Sequence, residues 1–203
     1  MRDKIEKLLA AEAEAIHNIP VSDEYGKAIE LIYMAVHNNH GKLIASGMGK
    51  AGQIANNIAT TFSSTGTPAV FLHPSDAQHG DIGVIQQNDI LLLVSNSGKT
   101  REVLELFTLG RNLCPNIPVI VITSITDSPL GEFADAVLTT GNPKEVCPLG
   151  LTPTTSMTAM TVIGDILVVL MMEKIGFTPA EYAKRHHGGY LGHKSRNASG
   201  NLS

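Results

Sequence analysis

Residues 90–94, Ile-Leu-Leu-Leu-Val, form an apolar run with no polar alternation. A strand of that kind is buried on both faces, so it belongs to a parallel sheet with helices above and below. The run breaks into Ser95-Asn-Ser-Gly98, and a helical pattern begins at Thr100. A strand that ends in hydroxyls and glycine at the mouth of a helix offers free backbone N–H groups and Ser/Thr donors to an anion, most commonly phosphate. The helix dipole adds a few tenths to ~1 kcal/mol per charge. Glu102 falls in the first turn of that helix, within reach of whatever the loop holds. The plainer alternative is an ordinary strand-to-helix turn capped by Ser97 or Thr100.

The remaining periodicities extend this unit into a doubly wound domain. Residues 4–19 place Ile5, Leu8, Leu9, Ala13, Ile16 and Ile19 close to one helical stripe, with Glu12 at its edge. Ser22 or Asp23 can cap a second helix whose Ala28, Ile29, Ile32 and Val36 face inward. These two helices, residues 1–40, precede the first strand and pack outside the sheet or on a partner subunit. Strands are expected at 43–46, 69–72, 90–94, 119–123 and 136–139. Helices are expected after residues 47 and 100, over 152–175 and briefly within 178–193. The expected architecture is a three-layer α/β/α sandwich on a five-stranded parallel sheet over residues 41–193. Asn197-Ala-Ser-Gly-Asn-Leu-Ser203 has the composition of a tail, and residues 194–203 are expected to be mobile.

Composition excludes several functions. A net charge of −4 leaves no basic footprint for nucleic acid, and 4% aromatics without Trp leave no base-stacking surface. Cys114 and Cys147 lack metal-ligand spacing and read as reduced, partly buried thiols. Met1-Arg-Asp-Lys-Ile5 is charged and no apolar stretch follows, so no signal peptide is expected. Thr161, Gly164 and Asp165 interrupt the apolar segment 157–172, which therefore reads as a core helix rather than a membrane span. A reducing cytoplasm is the expected compartment.

Gly47-Met-Gly-Lys-Ala-Gly52 matches G-x-G-x-x-G, the fingerprint of dinucleotide loops. A ribose-binding acid should then end the second strand, but that strand ends in Leu72-His73-Pro74. Gly98-Lys-Thr100 resembles a P-loop, yet the position of its first glycine is Leu93. Two Ser/Gly loops on parallel strands suit a smaller phosphorylated ligand. Ser46 and Gly47 make one wall; Ser95, Ser97 and Thr100 make the other. Open α/β sheets bind ligands at the carboxyl ends of their strands, where both loops fall.

Several stretches together closely resemble the sugar isomerase (SIS) domain family, from about Leu43 to Leu191. They are Ser46-Gly-Met-Gly-Lys50, Ser63-Ser-Thr-Gly-Thr-Pro68, His79-Gly-Asp81, Ser95-Asn-Ser-Gly98, Cys147-Pro-Leu-Gly-Leu-Thr-Pro-Thr154 and His186-His-Gly-Gly189. The His-Gly-Asp and Cys-Pro-Leu-Gly-Leu stretches are similar to the D-arabinose 5-phosphate isomerases within it, which supply the precursor of the lipopolysaccharide sugar Kdo. Family members commonly carry His-Pro-Gly-Gly where this chain has His186-His187-Gly-Gly. Many also continue into a pair of cystathionine-β-synthase-type (CBS) domains, so this chain is expected to be the catalytic module alone.

The resemblance implies a flavodoxin-like fold, no cofactor and interconversion of D-ribulose 5-phosphate and D-arabinose 5-phosphate through an enediol. That chemistry needs a base, an acid for the carbonyl oxygen and a donor or cation for the developing oxyanion. The family's catalytic positions fall on Lys50, Glu102, Glu145 and His186. Lys50 would supply positive charge; Glu102, Glu145 and His186 are all candidates for moving protons. Glu102 is expected to carry the C1/C2 proton and His186 to serve ring opening or proton relay, with His186 reaching a neighbouring subunit's site. His79 is a further substrate-binding candidate. His79, joined by His186 or His193, could also capture inhibitory Zn²⁺, although turnover is expected to need no metal. An anionic sugar acid such as Kdo, or its CMP conjugate, could compete at the phosphate loops. SIS relatives are usually tetramers, and a homotetramer is expected. The alternative of a non-catalytic sugar-phosphate sensor would normally bring a basic helix-turn-helix segment, which this chain lacks.

Overall fold

The computed structural model describes residues 1–188, 190, 194 and 195. The expected positions Gly189 and His193, and the tail from residue 196, lie outside the described residues. In chain order the elements are α1 (Arg2–His17), α2 (Glu24–Ile32), which runs into one π-helical stretch (Tyr33–Asn38), β1 (Leu43–Gly47), α3 (Gly49–Ser64) and β2 (Ala69–Phe71). Then come α4 (Pro74–Ala77), a 3₁₀ turn (Asp81–Val84), β3 (Ile90–Val94), α5 (Arg101–Leu113), β4 (Val119–Thr123), α6 (Pro129–Phe133) and β5 (Ala136–Thr139). The chain then forms α7 (Thr155–Lys174) and α8 (Pro179–Arg185).

All strand pairs are parallel, and the spatial order is β2-β1-β3-β4-β5. The alternation of side chains splits the core in two. Leu43, Ala45, Ile90, Leu92 and Val94 face α2, α3 and α7 on one side of the sheet. Ile44, Leu91, Leu93, Val119 and Val121 face α5 and α6 on the other. The three-layer sandwich anticipated from the apolar runs is therefore present. Apolar area removed from water on both faces supplies its main stabilisation, at about 25 cal/mol per Å².

Helix α7 is long and apolar enough to cross a membrane by length and composition. It instead lies against the sheet, with Ala159, Met160, Ile163 and Leu167 buried. Gly164 lets it approach α3 closely, since a Cβ there would fall 2.5 Å from Ile58 Cγ1. Helix α1 lies outside the sheet and touches α7. Its stripe is not buried in this chain: Ile5 and Leu9 are 49% and 65% exposed, and no residue of the helix is buried. Ser195 is buried, so the segment that composition marks as a tail begins against the body.

From β1 the chain winds outward to β2, and from β3 it winds the opposite way to β4 and β5. The carboxyl ends of β1 and β3 are thus adjacent, with Ser46 beside Leu93 and Gly47 beside Val94, while their following loops diverge. That is the switch point at which a sheet of this order opens a crevice.

Candidate active site

A cavity of about 420 Å³ opens at this switch point. Three segments line it: Met48, Lys50 and Ala51 after β1; Ser95, Asn96, Ser97 and Thr100 after β3; and Pro153, Ser156, Met157 and Met160 at the start of α7. Each segment leads into or opens a helix. The structure therefore brings Lys50, Ser95, Ser97 and Thr100 together as the sequence suggested, and adds a third wall that the two-loop reading did not include.

The glycines of the first loop have a geometric role. A Cβ at Gly47 would lie 2.9 Å from Val94 O, and one at Gly52 would lie 2.4 Å from Gly47 O. Gly49 adopts φ +58°, the left-handed region that favours glycine. The G-x-G-x-x-G pattern here encodes close strand–helix packing and a sharp turn into α3.

The second loop is held by the neighbouring strand ends. Asn96 Oδ1 accepts from Ser124 Oγ, and Asn96 O accepts from Ser124 N at 3.0 Å. Ser124 Oγ in turn shares a hydrogen bond with Thr140 Oγ1 at 2.6 Å. Ser95 Oγ and Thr100 Oγ1 bond each other at 2.8 Å. Neither Thr100 nor Ser97 caps α5: Thr100 makes no side-chain cap bond, and Ser97 Oγ accepts from Lys99 N at 3.2 Å. The capped-turn alternative therefore does not hold. Helix α3, with Met48 as its capping residue, likewise has no side-chain cap. Two helix N-termini without side-chain caps thus border one cavity together with Lys50, an arrangement that attracts an anion.

At α7 the anion position is already filled by the protein. Glu145 Oε2 accepts from Thr154 N at 2.7 Å, from Thr154 Oγ1 at 2.9 Å and from Ser156 N at 3.4 Å, while Oε1 accepts from Ser156 Oγ. Burial pushes this carboxyl up, but the hydrogen bonds of Ser156 and Thr154 outweigh it and hold the group below the usual carboxylate range. A carboxylate so engaged is a weak base. It fixes Ser156, whose side chain is part of the cavity wall, and stands behind that wall.

Glu102 is half-buried in the first turn of α5, two residues beyond Thr100, but it is not among the residues that line the cavity. No hydrogen bond or ion pair engages its carboxylate among the described residues. Ser46 and Gly47 sit differently from expectation. The Ser46 hydroxyl is buried and donates to Leu72 O at 2.6 Å, tying β1 to the end of β2. Gly47 borders a separate cleft of about 200 Å³ with Gly49, Asn56 and His73. His79 is exposed on the loop after α4 and does not line the cavity. No cluster of three or more His, Cys, Asp or Glu suited to a metal occurs among the described residues.

His186 is at the opposite end of the molecule. Its ring stacks on Tyr182 at 3.7 Å, Tyr182 meets Phe177 edge-on, and Phe177 covers Gly66 before β2. Helix α7, 20 residues long, separates that end from the cavity, a span of about 30 Å. Within one chain His186 cannot join Lys50 and Glu102.

One further group escaped the sequence reading. Donors around the Cys147 thiol, the Thr152 hydroxyl first and then the backbone N–H groups of Thr152, Leu151 and Leu149, pull its pKa down to about 6. Gly150, at φ +63°, turns the chain back so that these donors converge.

The SIS domain model matches residues 37–170. The chain is 42% identical over 190 residues to the arabinose 5-phosphate isomerase KdsD of Yersinia pestis, an alignment covering 93% of this chain and 56% of that protein. The chain thus spans a little over half the length of this curated relative. A structure from Bacteroides fragilis NCTC 9343, described as a candidate phosphosugar isomerase involved in capsule formation, is 63% identical, with TM-score 0.92 and coverage of 94% of this chain and 99% of that one. The E. coli CFT073 protein c3406, solved in complex with arabinose 5-phosphate, is 32% identical, with TM-score 0.82 and coverage of 90% and 95%. With the family model matched across the sheet, both cavity loops and most of α7, the chain belongs to the SIS domain family.

Proposed function

We propose that this chain is an aldose–ketose isomerase that interconverts D-ribulose 5-phosphate and D-arabinose 5-phosphate through an enediol, the first step toward Kdo. The observation that carries the reading is the convergence of Lys50, Ser95, Ser97 and Thr100 with the uncapped N-termini of α3 and α5 on one cavity. Its volume of about 420 Å³ suits a pentose phosphate. Similarity to arabinose 5-phosphate isomerases, and to a protein bound to arabinose 5-phosphate, supports the substrate class.

In this reading the phosphate rests on the Ser95–Thr100 loop, where helix N–H groups and hydroxyls neutralise it. Lys50 stabilises negative charge on the enediolate oxygen. Glu102, unencumbered by partners, moves the proton between C1 and C2. Glu145 keeps the N-terminus of α7 and Ser156 in place. His186 acts in trans: α1 docks its exposed Ile5, Leu8 and Leu9 on another subunit, and a homotetramer supplies each cavity with a neighbour's histidine for ring opening. Turnover needs no metal or cofactor, His79 is a site of Zn²⁺ inhibition, and Kdo or its CMP conjugate competes for the phosphate loop. The expected compartment is the cytoplasm.

The test is an interconversion assay started from either sugar phosphate. Equilibration of arabinose 5-phosphate with ribulose 5-phosphate supports the reading, and absence of conversion from both directions overturns it. Chelator should leave the rate unchanged; a rate lost to chelation and restored by one metal would contradict the metal-independent scheme.

A further inference from the structure

Helix α1 buries none of its residues, yet one of its side chains reaches the protein body. Glu12 Oε1 accepts a hydrogen bond from Thr155 Oγ1 at 2.9 Å. That same oxygen of Thr155 accepts from Val146 N at 3.1 Å. Val146 follows Glu145, whose carboxylate holds Thr154 and Ser156 on the other side of the turn. A single hydroxyl therefore joins three elements: α1, the loop that carries Glu145, and the first turn of α7.

The direction of these bonds is fixed by chemistry. A hydroxyl has one proton. Val146 N–H points at the Thr155 oxygen, so the Thr155 proton must go elsewhere. Thr155 is 1% exposed, which denies it water, and Glu12 Oε1 takes the proton. Without that acceptor a buried O–H is left unsatisfied and free to turn away from Val146.

The second oxygen of Glu12 adds an independent observation. Oε2 is buried and has no hydrogen-bond partner among the described residues. A buried, unsatisfied carboxylate oxygen is costly. Stability alone is a poor reason for a glutamate at this position.

We infer that Glu12 is a positioning residue that ties the placement of α1 to the loop bearing Glu145, and through it to the Ser156 wall of the cavity. The shape of the cavity then depends on where α1 rests. Because α1 presents its apolar stripe outward, docking on that stripe bears on the placement of α1, and Glu12 carries that placement to the loop behind the cavity wall.

The kinetic part of the test rests on the isomerase reading; the exchange part does not. The full chain is compared with Glu12→Ala, which removes the acceptor, and Glu12→Gln, which keeps one oxygen for Thr155. In Glu12→Ala, kcat should fall about tenfold or more through misplacement of the wall, with KM within about twofold and assembly mass unchanged. Glu12→Gln should recover most of the rate. Independently, amide hydrogen exchange at Val146 should accelerate in Glu12→Ala and return toward wild type in Glu12→Gln. Wild-type Val146 protection in Glu12→Ala overturns the inference whether or not the chain isomerises a sugar. Loss of rate together with loss of assembly mass also overturns it, by assigning Glu12 to assembly. A wild-type chain that converts no sugar sinks only the isomerase reading, and Val146 exchange then decides the role of Glu12.

Discussion

Cys147 and Glu145 show how one short loop sets the chemistry of two side chains. At Cys147 the converging donors stabilise the thiolate, so its pKa lies at about 6. Its alkylation rate should rise with pH and reach half its maximum near pH 6, well below an ordinary thiol at ~8.5; a midpoint above 8 would refute the donor arrangement. Thr152→Val removes the leading donor and should move that midpoint upward. Glu145 has a folded pKa below its unfolded one. Its stabilisation is therefore complete above the unfolded value and disappears as pH falls through the folded value. Relative to Glu145→Gln, the wild type should hold an advantage in Tm at pH 7 that shrinks as the medium is acidified through and below the usual carboxylate range. Thermal melts across that range check the sign, and an advantage that grows on acidification would contradict it. Of the cavity residues, Ser95, Ser97 and Thr100 stood out because a Ser/Gly loop between an apolar strand and a helix commonly meets an anion, and Lys50 because the resemblance to SIS proteins pointed to it. Ser46 was misjudged because sequence gives no direction to a strand-end hydroxyl, and this one turns to Leu72 O. Glu12 looked like a blemish on an apolar stripe; only the fold brings it to Thr155, 143 positions away.

At the scale of elements, the loop after β3 is rigid because it is wedged against α6. Gly98 has φ +62°, and a Cβ there would stand 2.0 Å from Ser128 Oγ. Its carbonyl accepts from Leu130 N at 3.1 Å. Gly98→Ala should therefore cost about 1–3 kcal/mol of stability, read as a lower Tm, and should weaken phosphate binding; an unchanged Tm would mean that the wedge does not exist. The strands could be read from sequence because their apolar runs are continuous, and β4 and β5 fall at 119–123 and 136–139 as expected. The short α4, α6 and the 3₁₀ turn were not anticipated. They are four or five residues long, below the span at which periodicity gives a signal. The third wall of the cavity was missed for a different reason. The start of α7 was visible, but its approach to the switch point depends on packing against α3 through Gly164 and Ile58.

At the scale of the whole molecule, the separation of His186 from the cavity is the main consequence of the fold. A histidine at the amino-terminal edge of the sheet cannot serve a site at the carboxyl edge of the same chain. If it acts in trans, mixed assemblies of Lys50→Ala and His186→Ala chains should regain activity that neither variant has alone. Mixing that restores nothing would confine His186 to a structural role on Tyr182. In the proposed homotetramer, charged substitutions at Leu8 and Leu9 should dissociate the assembly and abolish turnover together, read by mass and rate on one sample. The fold class and the length of α7 were legible in the sequence, whereas the opposition of the two ends was not, because no local pattern states at which edge of the sheet each end of α7 lies.

The cavity is proposed above all to move a proton between adjacent carbons of a pentose 5-phosphate, with Glu102 as the carrier. The most direct measurement follows D-arabinose 5-phosphate by proton NMR in D₂O with wild-type chain and with Glu102→Gln. Wild type is expected to form ribulose 5-phosphate with solvent deuterium entering at the reacting carbon, and Glu102→Gln to do neither at a comparable rate. A wild-type chain that leaves the sugar unchanged, or a Glu102→Gln chain that exchanges the C2 proton as fast as wild type, would contradict it.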